Sequence, residues 1–182
     1  MDETDEVLAQ AATGDMDAFA QLVRRHQAVV WSIAHRFLRD RTLAEEVAQD
    51  VFLELFRNIA AIKSDAHLLF WLRKVTGHRC IDKARRERTH LQVSLDEVPE
   101  PFELRTKFNA SDPLLTDKLR EAITGLPATP RMIIILRYQA NLEPMEIAAA
   151  LEMSVNTVKS HLRRAIIVLR EKLSRSIGGA FV

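Results

Sequence analysis

The helical rhythm of this chain stops over residues 91–117. That stretch holds Pro99, Pro101 and Pro113, contains the turn-forming NASDP of residues 109–113, and sets six acids against Arg105 and Lys107 for a net charge of −4. Proline removes a backbone donor and the short polar side chains compete for the rest, so no regular element is expected to run through it. Its weak apolar periodicity also leaves no face to bury, and it reads as a flexible acidic linker. The chain is thereby divided into residues 1–90, a linker at 91–112, and residues 113–182. The linker has too few apolar residues to join its flanks into one core, which predicts two separable units.

Both flanks are periodic. DAFAQLVRRHQAVVWSIAHRFL (17–38), LAEEVAQDVFLELFRNI (43–59) and AHLLFWLRKVTGHRCIDKARRER (66–88) repeat apolar residues every three or four positions, the spacing that lines one side of a 3.6-residue helix. Beyond the linker, residues 114–124, 130–139 and 144–151 read as short helices. A longer one follows, with Val155, Val158, Leu162, Ile166, Leu169 and Leu173 on one face. MIIIL (132–136) suits a buried strand by composition, but it would be solitary and its neighbours favour helix. The expected fold is all-α: two small helical domains joined by a flexible acidic linker, the second containing a helix-turn-helix.

The formal net charge of +1 conceals two basic clusters. Residues 73–88 carry Arg73, Lys74, Arg79, Lys83, Arg85, Arg86 and Arg88 against Asp82 and Glu87; residues 155–175 carry six cations against Glu171, so each segment is net +5. The second cluster follows EPMEIAAALEMS, in which a short helix with Ile147, Ala148 and Leu151 leads through a tight turn to Ser154, placed to cap the next helix. This is helix-turn-helix spacing, with Ala148 small enough for a close crossing and Val158 and Leu162 packing the second helix. The exposed side would present Ser154, Asn156, Thr157, Lys159, Ser160, Arg163 and Arg164, residues able to bond guanine edges or phosphates. An ordinary helix pair with a solvated basic face competes with that reading.

Composition narrows the class. The 182 residues are 47% hydrophobic, enough for helical cores. No run reaches the roughly eighteen apolar residues of a membrane span, and the acidic start (Asp2, Glu3, Asp5, Glu6) differs from a basic and then apolar leader, so a cytoplasmic chain is expected. Cys80, the one cysteine, forms no internal disulfide and accompanies no ligand cluster, so no metal or cofactor is expected. The six histidines are scattered, with no nucleophile elbow, phosphate loop or H-E-x-x-H motif, so no catalytic residue, enzymatic activity or small-molecule substrate is assigned.

In their order and spacing these segments resemble the sigma-70 family of bacterial transcription initiation factors, in particular its small two-domain extracytoplasmic-function (ECF) group. GDMDAFAQLVRRHQ (14–27) and LAEEVAQDVFLELFRNI are similar to the family's first two conserved regions. FWLRKVTGHRCIDKARRER (70–88) resembles its promoter-melting helix, with Trp71, Leu72 and Asp82 at matching positions. LPATPRMIIILRYQANLEPMEIAAALEMSVNTVKSHLRRA (126–165) resembles its terminal DNA-reading domain. The resemblance implies that residues 1–90 bind core RNA polymerase and melt the minus 10 element, while residues 113–182 read the minus 35 element of double-stranded promoter DNA. It puts Glu46, Gln49, Asp50, Leu53 and Glu54 at the polymerase contact. The melted nontemplate strand falls to a pocket loop of Ile62, Lys63, Ser64 and Asp65, and to Trp71, Lys74, His78, Arg79, Lys83, Arg85 and Arg86. Trp71 is either core or base platform. An anti-sigma factor is a further implied partner, expected to cover residues 43–59 and apolar surface around Ile133 to Leu136.

Three departures from the family pattern stand out. His78 replaces a common asparagine on the melting helix, Glu152 replaces the usual glycine in the turn, and Asn156 another glycine. Because a left-handed backbone costs a non-glycine residue about 1 kcal/mol, the turn at Glu152 is expected to be right-handed. The rival classes are a helix-turn-helix transcription regulator without sigma activity and a protein-interaction module; a receiver domain's βα units and phosphoacceptor chemistry are missing from residues 1–88.

Overall fold

The computed structural model describes residues 3–93 and 113–178, and all regular structure among them is helical. The expected linker, apart from its first three residues, lies outside the described residues. The N-terminal half comprises α1 (Glu3–Ala12), α2 (Met16–Leu38), α3 (Arg41–Asn58), a 3₁₀ turn (Ile59–Ala61) and α4 (Asp65–Val93). The C-terminal half comprises α5 (Pro113–Thr124), α6 (Ala128–Tyr138), α7 (Pro144–Ala150) and α8 (Val155–Gly178).

Local chemistry sets the helix ends. Asp15 Oδ1 accepts the Asp17 and Ala18 amides at 2.9 and 3.0 Å to open α2. Asp40 Oδ1 accepts the Leu43 amide at 2.9 Å to open α3. Between them Arg39, at φ 59°, ends α2 by donating its amide to His35 O at 2.8 Å, so the two helices turn back on each other within two residues. Leu22, Val30 and Phe37 of α2, Val51 and Leu55 of α3, and Leu68 and Leu72 of α4 are fully buried together, each contributing about 1.5–3 kcal/mol. Helix α1 has no counterpart among the expected elements. With Leu8 and Ala11 the buried ones among its described side chains, it has too short an apolar stripe to announce itself, and it is held by packing on α2.

The two halves do not stand apart. One continuous cluster of buried side chains takes in Leu22, Leu55 and Leu72 on one side and Met132, Ile133, Leu136, Ile147 and Leu151 on the other, with α6 packed on α2 and α4, and α7 on α4. Separable units therefore do not describe this state: the joint is made directly between helices and needs no apolar residues from the linker. Polar staples reinforce it. Arg131 donates to Phe37 O and to Leu126 O, both at 3.1 Å, with its guanidinium 5.0 Å from the Phe37 ring centre. Arg39 donates to Thr124 Oγ1 at 2.7 Å.

MIIIL is helical, inside α6, and its unbroken apolar run has a reason. Met132, Ile133, Ile135 and Leu136 face the shared cluster, while Ile134 points the other way into a second cluster with Ala122, Leu126, Ala165 and Leu169. A helix covered on all sides is apolar all round. The same burial corrects the expectation that a partner covers apolar surface at Ile133 to Leu136: the chain itself already does so.

Candidate nucleic-acid interface and apolar groove

Helix α7 opens with Pro144 in its first turn, and the Glu146 carboxylate accepts the Glu143 amide at 2.7 Å. It ends in a left-handed cap. Leu151 closes the last regular helical bond to Ile147 O at 2.9 Å, and Met153 donates to Ala148 O at 3.0 Å, a bond that needs Glu152 at φ 54°. The right-handed turn expected from avoiding that cost is thus overturned, because the left-handed residue brings the Met153 amide onto the otherwise orphaned Ala148 carbonyl. Ser154 then caps α8, its Oγ accepting the Thr157 amide at 3.0 Å and lying 2.8 Å from Thr157 Oγ1. Val158, at 0% exposure, anchors the start of α8 in the cluster that holds Ile147 and Ala148, and Ala165, at 2%, anchors it further along against Ile134 and Leu126.

The opposite face of α8 is open. Asn156, Thr157, Lys159, Ser160, Arg163 and Arg164 are all exposed, as is Ser154, and no ion pair among the described residues engages Lys159, Arg163 or Arg164. Three cations and three short polar side chains thus lie along the first turns of a helix whose positive dipole end points the same way. Such a face suits phosphates and base edges.

The basic cluster of α4 is more occupied. Arg79 donates twice to Glu54 Oε2, at 2.7 and 3.2 Å, and Lys83 meets Glu46 Oε2 at 2.7 Å. Lys74 Nζ lies 2.8 Å from Glu152 Oε1, and His78 Nε2 donates to Ala150 O at 2.9 Å. Arg85 and Arg86 are exposed, and Trp71 is half-buried against the core. Arg73 is half-buried with Nε unpartnered; desolvation lowers its pKa, with Glu146 acting against that.

The loop before α4 divides its duties. Ile62 is 7% exposed and belongs to the core. Ser64 caps α4 by accepting the His67 amide at 3.2 Å. Asp65 Oδ1 lies 3.2 Å from buried His26 Nε2 but is poorly aligned for a hydrogen bond, leaving both atoms without a well-formed partner. Of the four loop residues only Lys63 is exposed. Burial drives the Cys80 thiol pKa far up, so the free cysteine is an inert core residue.

On α3 the expected contact residues split between two sides. Glu46 and Glu54 face α4 through the pairs above, and Asp50 adds to the field on Arg79. Gln49 and Leu53 instead line a groove of about 990 Å³ between α2 and α3, together with Met16, Phe19, Trp31, Phe52 and Phe56. Met16, Leu53 and Phe56 are 60%, 56% and 47% exposed, and the Phe19 and Phe56 rings meet edge to face at 5.2 Å. The aromatic lining was missed in the sequence, although it left a signal: Phe19, Val23 and Trp31 form a second apolar stripe on α2 beside the one that buries Leu22 and Val30. A monomer rarely leaves such a lining open without a partner for it.

Residues 22–90 match the Sigma-70 region 2 family, and residues 116–167 the Sigma-70, region 4 family. The chain is similar to the ECF RNA polymerase sigma factor SigK of Mycobacterium ulcerans (strain Agy99), with 30% identity over 96% of this chain and 96% of the relative. It is also similar to the ECF RNA polymerase sigma factor SigW of Bacillus subtilis (strain 168), with 26% identity over 91% and 94%. In fold it matches the sigma factor RpoE of Bartonella quintana, solved in complex with the anti-sigma factor NepR, with a TM-score of 0.71, 21% identity, and coverage of 86% of this chain and 96% of that one.

Proposed function

Because this chain belongs to the ECF RNA polymerase sigma factors of the sigma-70 family, we propose that three of its surfaces divide the work of promoter-directed initiation. The α2/α3 groove docks core RNA polymerase, α8 reads the minus 35 element, and α4 with its preceding loop holds the melted minus 10 strand. The observation that carries this reading is the exposed, unpaired cationic face of α8 in the same chain as an open apolar groove.

Each surface has chemistry suited to its part. In the groove, Leu53, Phe56 and Met16 supply apolar anchors with Gln49 at the edge, the composition of an interface hot spot. On α8, Arg163 and Arg164 make bidentate contacts to guanine or phosphate, while Asn156, Thr157 and Ser160 read within hydrogen-bonding reach and Lys159 holds the backbone. Unpairing DNA costs a few kcal/mol per extruded base, which enclosure beside Lys63 and Trp71 and charge from Arg79, Lys83, Arg85 and Arg86 offset. The chain does no covalent chemistry, and its work on polymerase and chromosomal DNA is done in the cytoplasm. An anti-sigma factor inhibits it by covering the α2/α3 groove, in competition with polymerase.

The test is retention of sheared genomic DNA by purified core polymerase with and without the chain, followed by run-off transcription from the retained fragments. Defined start sites that depend on the chain are expected. DNA retained without polymerase, and no chain-dependent start sites, would instead identify a regulator lacking sigma activity.

A further inference from the structure

The joint between the two halves leaves a second cavity, of about 560 Å³, between α4, the start of α6 and the middle of α8. It differs in kind from the α2/α3 groove. The groove is walled by apolar side chains with Glu45 and without a cation, whereas Arg85, His161 and Arg164 stand in the wall of this cavity and no carboxylate does. The local field there favours an anion. Among the described residues Arg164 and His161 belong to no ion pair, so neither gives up a charged partner to meet one. The rest of the wall is mostly apolar, with Leu126, Pro127, Pro130, Ala165 and Val168. Covering it rewards a ligand with an apolar body, which inorganic phosphate lacks. The same wall holds the first turn of α6. Its N-cap, Pro127, contributes no side-chain bond, so the Ala128 and Thr129 amides lie without a capping side chain at the positive end of the helix, beside the cations.

We propose that this cavity is a binding site for a free mononucleotide, with its phosphates between Arg164, Arg85 and the first turn of α6 and its base on the apolar wall beside His161. Each part of the ligand answers a part of the site. Guanidinium groups bond phosphate through two parallel N–H donors, a helix start adds backbone donors, and an imidazole or a guanidinium plane stacks on a base. The volume lies within the roughly 300–1,000 Å³ of small-molecule sites. An aliphatic acid would cover the apolar wall but present one charge to three basic side chains, and a duplex keeps its bases stacked and would bring only phosphate to the rim. The chemistry of the site does not depend on the assignment of Arg85 and Arg164 to DNA.

Isothermal titration calorimetry of the full-length chain in magnesium-free buffer tests it, with ATP as the probe and pyrophosphate, adenosine and a short oligothymidylate for comparison. ATP is expected to bind once per chain and about tenfold or more tightly than pyrophosphate or adenosine, because only ATP engages both the cations and the apolar wall. Two variants locate the binding. Val168→Glu sets a carboxylate in the wall at a side chain already 37% exposed, and His161→Ala removes the half-buried imidazole. Each is expected to weaken ATP about tenfold while melting like wild type without ligand. No saturable ATP binding, pyrophosphate bound as tightly as ATP, or ATP affinity untouched in a variant that melts like wild type would each overturn the proposal. So would an oligothymidylate bound more tightly than ATP and weakened equally by His161→Ala, since the cavity would then belong to a nucleic-acid strand.

Discussion

His26 shows how a single buried group sets the response of this fold to pH. Burial pushes its pKa below the usual value of about 6.5, and Asp65 and Arg25 act in opposite directions on top of that. His35, stacked on Trp31 at 4.4 Å, is lowered for the same leading reason, with Arg36 and Arg39 adding to it. Between about pH 6.5 and these lowered values the unfolded chain binds more protons than the folded one, so stability rises with pH across that window and is lost on acidification. Thermal melts should show a lower midpoint at pH 5.5 than at pH 7.5, and His26→Gln should flatten the dependence. On α8 the prediction is sharper: Arg163→Ala or Arg164→Ala should cost about 1–3 kcal/mol of duplex affinity in competition binding if the contact is bidentate to a base. Neither change should move the melting temperature appreciably, since both side chains are exposed. Position by position, sequence reasoning located the α8 face, because exposure there follows from helical spacing. It misjudged Glu152, because a local backbone cost was weighed without the Ala148 carbonyl that the left-handed turn satisfies.

At the scale of elements, the long amphipathic helices were legible and the short or fully covered segments were not. The acidic stripe of α3 illustrates the limit: its residues were expected together at one polymerase contact, yet Glu46 and Glu54 pair with α4 while Gln49 and Leu53 turn to the groove with α2. One helix cannot disclose which neighbours flank its polar side. The groove gives an element-scale prediction. Leu53→Asp should leave the fold intact, because Leu53 is 56% exposed, but should weaken association with core polymerase by about 2 kcal/mol, roughly thirtyfold, as expected for a charge placed in an apolar anchor site. Duplex binding through α8 should not change. Sedimentation or surface binding with purified core polymerase checks the first part and anisotropy the second.

For the molecule as a whole, the order of the longer helices was readable, whereas the docking of one half on the other was not. That docking depends on Gly77, Leu151 and Met132 meeting across more than fifty residues of sequence, a complementarity that periodicity does not encode. A shared core has a thermodynamic signature: the intact chain should unfold in one cooperative calorimetric transition rather than two. Ile147→Ala, at a fully buried site, should lower its stability by about 2–5 kcal/mol. The central claim is that this chain makes core polymerase open promoter DNA, and permanganate reactivity of thymines in a retained genomic fragment tests it most directly. Polymerase with the chain should expose unpaired thymines near minus 10, polymerase alone should expose none, and the chain alone should protect only the minus 35 duplex. Fully paired thymines in the presence of both proteins, on DNA they demonstrably occupy, would contradict the account.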